Sequence, residues 1–402
     1  MKANAAYGQS GGPTSVINAS LYGVIKQCQL EEEIGTLFIM HNGIKGLIND
    51  DLKDVSEIEE SEIELLPYTP SAICGSVRYK LKKHTEDETD YQKILENLKK
   101  HNIRYVFLNG GNDSMDTTHK LSEFLKENNY DWKVIGIQKT IDNDLEGTDH
   151  TPGYASAAKF IATSVKSFSY DNDCYPKGRV NIVEIMGRDT GWLTAASSLA
   201  SLSGNGPDLI YIPELPFDVD SFLKDVEEVY KKKQRCLVAV SEGIKDAKGN
   251  FIMDEGAKDA FNHVQLGGVA RTLANLVETH LHYSTRAIEL SLLQRCFAPI
   301  VSSTDRNEAI NCGKHAVKYA LKGNDKVMIV MKRENNPYKI TYETFSLANV
   351  ANAIKYLPRS MMNEKGNNVT QEFIDYILPL CEGNDKVIEK NGIAMYADKS
   401  KF

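Results

Sequence analysis

Short runs of β-branched and other apolar residues, TLFIM, IRYVFL, KVIGI, RVNIVEIM, DLIYIP and CLVAVSEG, alternate with longer helical patterns such as YQKILENLKK and SFLKDVEEVYKKK. This alternation constrains the fold more than any other feature. Repeated strand–helix–strand units lay their strands parallel, and a parallel sheet must be covered by helices on both faces. The expected class is therefore α/β. In such sheets ligands gather beyond the carboxyl ends of the strands, where loops run into helix N-termini. The loops that follow strands are the places to read function.

The chain has 402 residues, 42% of them hydrophobic and 25% charged, which suffices for a large buried core divided between two domains. No apolar run approaches the roughly 20 residues that span a bilayer, and the opening MKANAAYGQSGG lacks the apolar core of a signal peptide. No membrane partner and a cytoplasmic location are expected. The seven cysteines (Cys28, Cys74, Cys174, Cys236, Cys296, Cys312, Cys381) are scattered and form no CxxC pair, which suits reduced structural thiols. A formal charge of -8 opposes a broad nucleic-acid surface, so any anion site must be local. The acidic stretch Asn49 to Glu64 and the polar stretch Asn363 to Glu372 read as solvated surface.

Four strand-end loops carry residue types that can do chemistry. In YGQSGGPTSVINAS a strand ends at Gly8 and a helix is expected near Pro13; Gly11 and Gly12 let main-chain N–H groups approach an oxyanion, although a glycine pair is also an ordinary tight turn. In IRYVFLNGGNDSMD the strand Ile103 to Leu108 leads to Gly110 and Gly111, and Asp113 stands at a helix start, as a carboxylate ligand or simply as a cap. The third loop follows the strand Lys133 to Ile137 and sets Lys139, Thr140, Asp142 and Asp144 within six residues. A cation, a hydroxyl and two carboxylates in one turn are what phosphoryl transfer requires: a proton acceptor, charge compensation and fixed donors to the moving oxygens. The fourth, RVNIVEIMGRDTGW, carries Arg188 at its tip, able to meet a phosphoryl group bidentately or to pair with Asp189. Further on, TRAIELSLLQRC puts Arg286 and Arg295 at opposite ends of one apolar, strand-like run.

In order and approximate spacing, SGG, GSVR, GGNDS, KTIDND, EIMGR, SEG and TRAIELSLLQR resemble the motifs of the phosphofructokinase family, from about Gly8 to Arg306. The resemblance implies two doubly wound α/β domains with mainly parallel sheets and an active site in the cleft between them. A phosphoryl-donor domain would comprise residues 1–150 and about 296–345, a sugar-phosphate domain residues 151–295, and a C-terminal helical extension residues 346–402. It also implies roles. Asp142 resembles the base that deprotonates the C1 hydroxyl of fructose 6-phosphate; Thr140, Lys139 and Arg188 would stabilise the transferring phosphoryl group, and Asp144 would help to hold the metal or the base. Gly11, Gly12, Arg78, Gly111, Asp113 and Lys139 match the phosphate-binding positions. Met186, Gly187, Arg188 and Glu242 would shape the sugar pocket, and Arg286 and Arg295 resemble clamps on the 6-phosphate. Arg179 matches an arginine that arrives from a neighbouring subunit, implying a homo-oligomer, dimer or tetramer, with a shared site. Mg²⁺ is the implied cofactor, with Asp113 as its protein ligand.

Two positions separate phosphoryl donors within this family. ATP-using members tend to have glycine where Asp113 and Lys139 stand; side chains there fill space that the nucleotide's inner phosphate needs, and Lys139 offers a cation to the shorter pyrophosphate. The resemblance is thus to the pyrophosphate-dependent branch, which transfers a phosphoryl group reversibly between pyrophosphate and fructose 6-phosphate, giving fructose 1,6-bisphosphate and phosphate. The alternatives are an ATP-dependent enzyme, the same chemistry on sedoheptulose 7-phosphate, and a noncatalytic regulatory subunit, which the presence of the base and the arginines opposes. Three features depart from the pattern. Asn112 stands where many relatives place an aspartate on Mg²⁺, which weakens the expected metal set. Leu292 replaces a histidine common near the 6-phosphate, and QRCF replaces the usual QRGG. The tail beyond about Asn335 matches no active-site motif and is expected to pack as helices over the domains or at an interface.

Overall fold

The computed structural model describes residues 2–252, 267–350 and 353–402. Two sheets organise them. The larger contains β1 (Ala3–Gln9), β2 (Ile34–Met40), β3 (Leu52–Asp54), β4 (Ile103–Gly110) and β5 (Lys133–Gln138). The smaller is built from β6 (Val180–Ile185), β7 (Leu209–Tyr211), β8 (Cys236–Ser241) and β9 (Thr285–Glu289), after which β10 (Val327–Glu334) and β11 (Lys339–Ser346) return to the larger one. The orders are β11-β10-β5-β4-β1-β2-β3 and β7-β8-β6-β9. All neighbours are parallel except the edge pairs β2/β3 and β10/β11.

The apolar runs become strands because both of their faces are covered. Every residue of β6 and of β8 is buried, as the near-continuous hydrophobic character of a parallel strand requires. The helices Ile17–Cys28 and Ser303–Leu321 touch at the backbone: a Cβ on Gly23 would lie 2.0 Å from the carbonyl oxygen of Ile310, and one on Gly313 would lie 2.1 Å from that of Ser20. Only glycine permits that approach, and it binds a helix from late in the chain to the first layer of the larger sheet.

Three local expectations are corrected. The first helix begins at Ile17 rather than near Pro13, because the chain is still turning at Ser15 and the Val16 amide donates to Thr14 Oγ1 at 3.2 Å. The run from Arg286 to Arg295 is not one strand: β9 ends at Glu289, Ser291 adopts φ +48°, and Ser291–Arg295 forms a 3-10 turn. Among the described residues after Ser346 the helices are short, Leu347–Val350 and Gln371–Ile377, with a 3-10 turn between them and a further 3-10 turn and a two-residue β-ribbon after the second.

That tail belongs to both lobes. Leu357, Met361, Phe373 and Ile377 share a core with Tyr154, Ile185 and Trp192 of the second lobe. Ala397 and Phe402 return to the core of Tyr7, Leu21 and Phe107 beneath the larger sheet. All seven cysteines are free, and four of them are buried. Among the described residues no helix is long and apolar enough to cross a membrane.

Candidate active site

At the carboxyl end of β1 the chain turns through Gly11, whose φ of +78° favours glycine. Its carbonyl accepts from Ser76 Oγ at 2.7 Å, so the GSVR loop is laid along the glycine loop, and Arg78 stands exposed two residues farther on. Lys139, at the carboxyl end of β5, is buried, and its Nζ donates to the Gly12 carbonyl at 2.6 Å. Burial pushes the Lys139 ammonium down to about 8; Asp142 and Asp144 act against that shift. A Cβ on Gly12 would lie 3.3 Å from an Arg295 guanidinium nitrogen. Arg295 therefore reaches from the far side of the cleft to the glycine loop.

The turn after Lys139 is internally braced. Thr140 Oγ1 donates to Asp142 Oδ2 at 3.1 Å and accepts the Asp142 amide at 3.1 Å, which fixes the carboxylate relative to the backbone. Loss of hydration raises the proton affinity of Asp142, with the Thr140 hydrogen bond and the Lys139 charge opposing it. Asp144 is pushed up to about 7, by burial first and then by the negative charge of Asp142. Two carboxylates two residues apart and out of water resist ionising together.

Oxygen donors for a cation also converge here. Asn112 Nδ2 donates to Asp144 Oδ2 at 3.0 Å, while Asn112 Oδ1 is buried without a hydrogen-bond partner. Asp113 is exposed in the first turn of the helix Asn112–Glu127, whose N-cap is Gly111, so Asp113 is not the cap residue. Among the described residues no cluster of three or more His, Cys, Asp or Glu is arranged to hold a metal by protein ligands alone. An orphaned carbonyl oxygen beside a crowded carboxylate pair nevertheless suits a small hard cation that takes its remaining ligands from phosphate and water.

The second lobe supplies the opposite wall from the ends of β6 and β8. The Met186 amide donates to Gln294 Oε1 at 3.0 Å, and the Gly187 amide to Glu242 Oε1 at 3.3 Å. Burial lifts the Glu242 carboxyl to about 7; the Gly187 contact opposes this, and the Asp142 charge adds to it. Arg188 is half-buried at the loop tip, and Asp189, its alternative partner, lies 3.5 Å from Lys245 Nζ. Thr190 Oγ1 donates to the Asp142 carbonyl at 3.1 Å, joining this loop to the acidic turn across the cleft.

Two arginines are not brought to this place. Arg179 is exposed just before β6, at the strand end opposite Met186, and Arg286 pairs in register with Asn181 at the same end. Six strand residues lie between Arg179 and Met186, and four between the level of Arg286 and Met186, which at about 3.3 Å each puts them roughly 15 to 20 Å from the Arg188 loop. Arg295 and Arg286 therefore do not form one clamp within a single chain.

Two residues in contact with the site carry no motif. Lys355 Nζ and the Tyr376 hydroxyl, both from the C-terminal tail, bond to the acidic turn and its continuation. Only a lysine and a tyrosine inside otherwise apolar stretches hint at them in the sequence, which is too weak a signal to act on.

The phosphofructokinase family profile matches residues 4–320. The chain is 41% identical over 403 residues to a pyrophosphate–fructose 6-phosphate 1-phosphotransferase of Halomonas elongata, covering 99% of this chain and 96% of that protein. It is 39% identical over 398 residues to the protein of the same name from Methylococcus capsulatus, with coverages of 98% and 95%. The crystal structure of a pyrophosphate-dependent phosphofructokinase from Nitrosospira multiformis superposes with a TM-score of 0.90 at 37% identity, over 98% of this chain and 95% of the other.

Proposed function

Because this chain belongs to the phosphofructokinase family, we propose that it transfers a phosphoryl group reversibly from pyrophosphate to the C1 hydroxyl of fructose 6-phosphate. The products are fructose 1,6-bisphosphate and phosphate. One observation carries the choice of donor: Lys139 Nζ sits 2.6 Å from the Gly12 carbonyl, so a buried cation lies against the glycine loop that cradles phosphate.

The larger-sheet lobe takes pyrophosphate through Gly11, Gly12, Arg78 and Gly111, and the smaller-sheet lobe takes the sugar phosphate through Met186, Gly187, Arg188 and Glu242. Asp142 accepts the C1 proton as the C1 oxygen bonds to the nearer phosphorus, and the P–O bond to the departing phosphate breaks. Desolvation strengthens Asp142 as a base, and the Thr140 hydroxyl holds Asp142 Oδ2, leaving Oδ1 to take the proton. Lys139, Arg188 and Arg295 compensate charge on the moving phosphoryl oxygens. Asp144, the Asn112 carbonyl oxygen and Asp113 would hold Mg²⁺, which would supply further charge compensation to the phosphate oxygens. Arg179 and Arg286, remote from the cleft of their own chain, serve the sugar-phosphate site of a second copy in a homo-oligomer.

The test is a parallel assay of purified protein with Mg²⁺ and fructose 6-phosphate, offered pyrophosphate or ATP. Turnover with pyrophosphate at a kcat/KM at least roughly 100-fold above ATP, the scale of a lost phosphate contact, is expected. Preference for ATP, or turnover with neither donor, rejects the reading.

A further inference from the structure

Asn143 stands between the two carboxylates and adopts φ +54°, a left-handed conformation that turns its side chain out of the Asp142–Asp144 plane of the turn and into the protein. Its Oδ1 accepts from the Thr151 amide at 3.1 Å and from Lys355 Nζ at 3.2 Å, and its Nδ2 donates to the Tyr376 hydroxyl at 2.9 Å. The Lys355 ammonium also donates to the carbonyls of Asp149 at 2.8 Å and Thr148 at 3.3 Å, while the Lys355 amide donates to the Asp144 carbonyl at 2.9 Å. On its other side the Lys355 carbonyl accepts from Trp192 Nε1 at 2.9 Å, in the helix that follows the Arg188 loop. One residue of the tail thus binds the turn bearing Asp142 to the element bearing Arg188.

We propose that Lys355 is a positioning residue for phosphoryl transfer, acting through Asn143 and the 144–149 main chain to hold the Asp142 carboxylate at the reacting hydroxyl. The inference rests on the functional reading above. Three acceptors surround one buried ammonium, and an apolar replacement takes a donor from each of them at once. Burial pushes the ammonium down to about 8, with Asp149, Asp144 and Glu146 acting against the shift and Arg333 adding to it. The Tyr376 hydroxyl reinforces the same hold by donating to the Asp149 carbonyl at 2.9 Å. None of these groups lies in the wall formed by Met186 and Glu242, so sugar-phosphate binding is separable from the placement of the base.

Steady-state kinetics of Lys355→Met, Lys355→Arg and Tyr376→Phe, each checked for folding by its melting transition, test the proposal. For Lys355→Met, kcat should fall by roughly 10- to 100-fold while KM for both substrates stays within about threefold, the pattern of a misplaced catalytic group. Lys355→Arg, which keeps a cation and several donors, should regain most of that loss. If Lys355→Met does not fold, Tyr376→Phe decides, since it keeps the ring and loses only the hydroxyl; a kcat roughly three- to tenfold lower at unchanged KM is expected. An unaltered kcat in the folded variants, or KM rising in step with the fall in kcat, overturns the proposal. Ratios are taken on whichever donor the wild type turns over, so a preference for ATP rejects the functional reading and still leaves kcat to judge Lys355.

Discussion

Replacing Lys139 by methionine keeps the bulk of a buried side chain and removes its charge, which isolates the electrostatic part of donor binding. In the wild type the ammonium is 2.6 Å from the Gly12 carbonyl and within electrostatic reach of Asp142, Asp144 and Arg295. A phosphoryl oxygen about 4 Å from a unit charge gains roughly 4 kcal/mol at an effective dielectric constant near 20. Part of that is already spent on the Gly12 carbonyl, so about 2 to 4 kcal/mol of transition-state stabilisation should be lost, a fall of roughly 30- to 900-fold in kcat/KM for pyrophosphate. The pH profile adds a second reading. With the ammonium held at about 8 in the free enzyme, kcat/KM for pyrophosphate should decline as pH rises through 8, and Lys139→Met should lose that limb. Initial rates at fixed fructose 6-phosphate, with pyrophosphate varied from about pH 6 to 9.5, measure both quantities. A loss below about threefold, or a basic limb that survives in the variant, refutes the role assigned to Lys139.

Asp142→Asn should lower kcat by roughly two to four orders of magnitude, the reach of general base catalysis, with substrate KM values and melting temperature little changed; near-normal turnover removes Asp142 as the base. Asp113→Gly should admit ATP as a donor, measurable as new ATP-dependent turnover, and Asp113→Gly with Lys139→Gly should be the better ATP enzyme; no ATP activity in either variant defeats the steric argument. Mixing inactive Asp142→Asn and Arg179→Ala chains under conditions that exchange subunits should restore roughly a quarter of wild-type activity if sites are shared between copies, and no recovery rejects sharing. His150 bonds to Asp149 and Glu308 at 2.7 Å each, and although burial opposes its charge, those carboxylates raise it from 6.5 to about 9. A raised histidine contributes stability that is fully present below about pH 6.5 and lost as pH rises through about 9, so the stability difference between wild type and His150→Gln in urea unfolding should shrink by on the order of 3 kcal/mol across that window; a difference that does not change with pH removes His150 as its source.

The larger features were legible because each rests on a local pattern. IRYVFL and KVIGI became β4 and β5, and the loops after them carry Gly111, Lys139, Thr140 and Asp142 at the carboxyl ends of parallel strands, as the strand–helix rhythm requires. What could not be read depends on contacts between distant segments. Lys355 is 212 residues from Asn143, and nothing near either one announces the hydrogen bond between them. The separation of Arg286 from Arg295 was hidden for another reason: a run of mixed apolar character fits a strand, and only the left-handed Ser291 breaks it. The antiparallel partner β11 escaped notice as well, since KITYETFS is an edge strand with more than half of its residues only partly buried and no continuous apolar run.

The pairing of β5 with β10 joins Ile135 to Val327, and it sets the order in which a growing chain can complete itself. At about 5 to 20 residues per second, the ribosome needs roughly 10 to 40 seconds to make the intervening stretch. Throughout that interval the flank of β5 is an open, apolar hydrogen-bonding edge, the kind of surface that recruits strands from other chains. The whole smaller sheet is synthesised in the meantime, but its core still lacks Leu357, Met361, Phe373 and Ile377, which follow β10 in the chain. Nascent protein should therefore pass through a state with both sheets begun and neither lobe closed, and its exposure to misassembly should scale with the time that translation takes between the two strands.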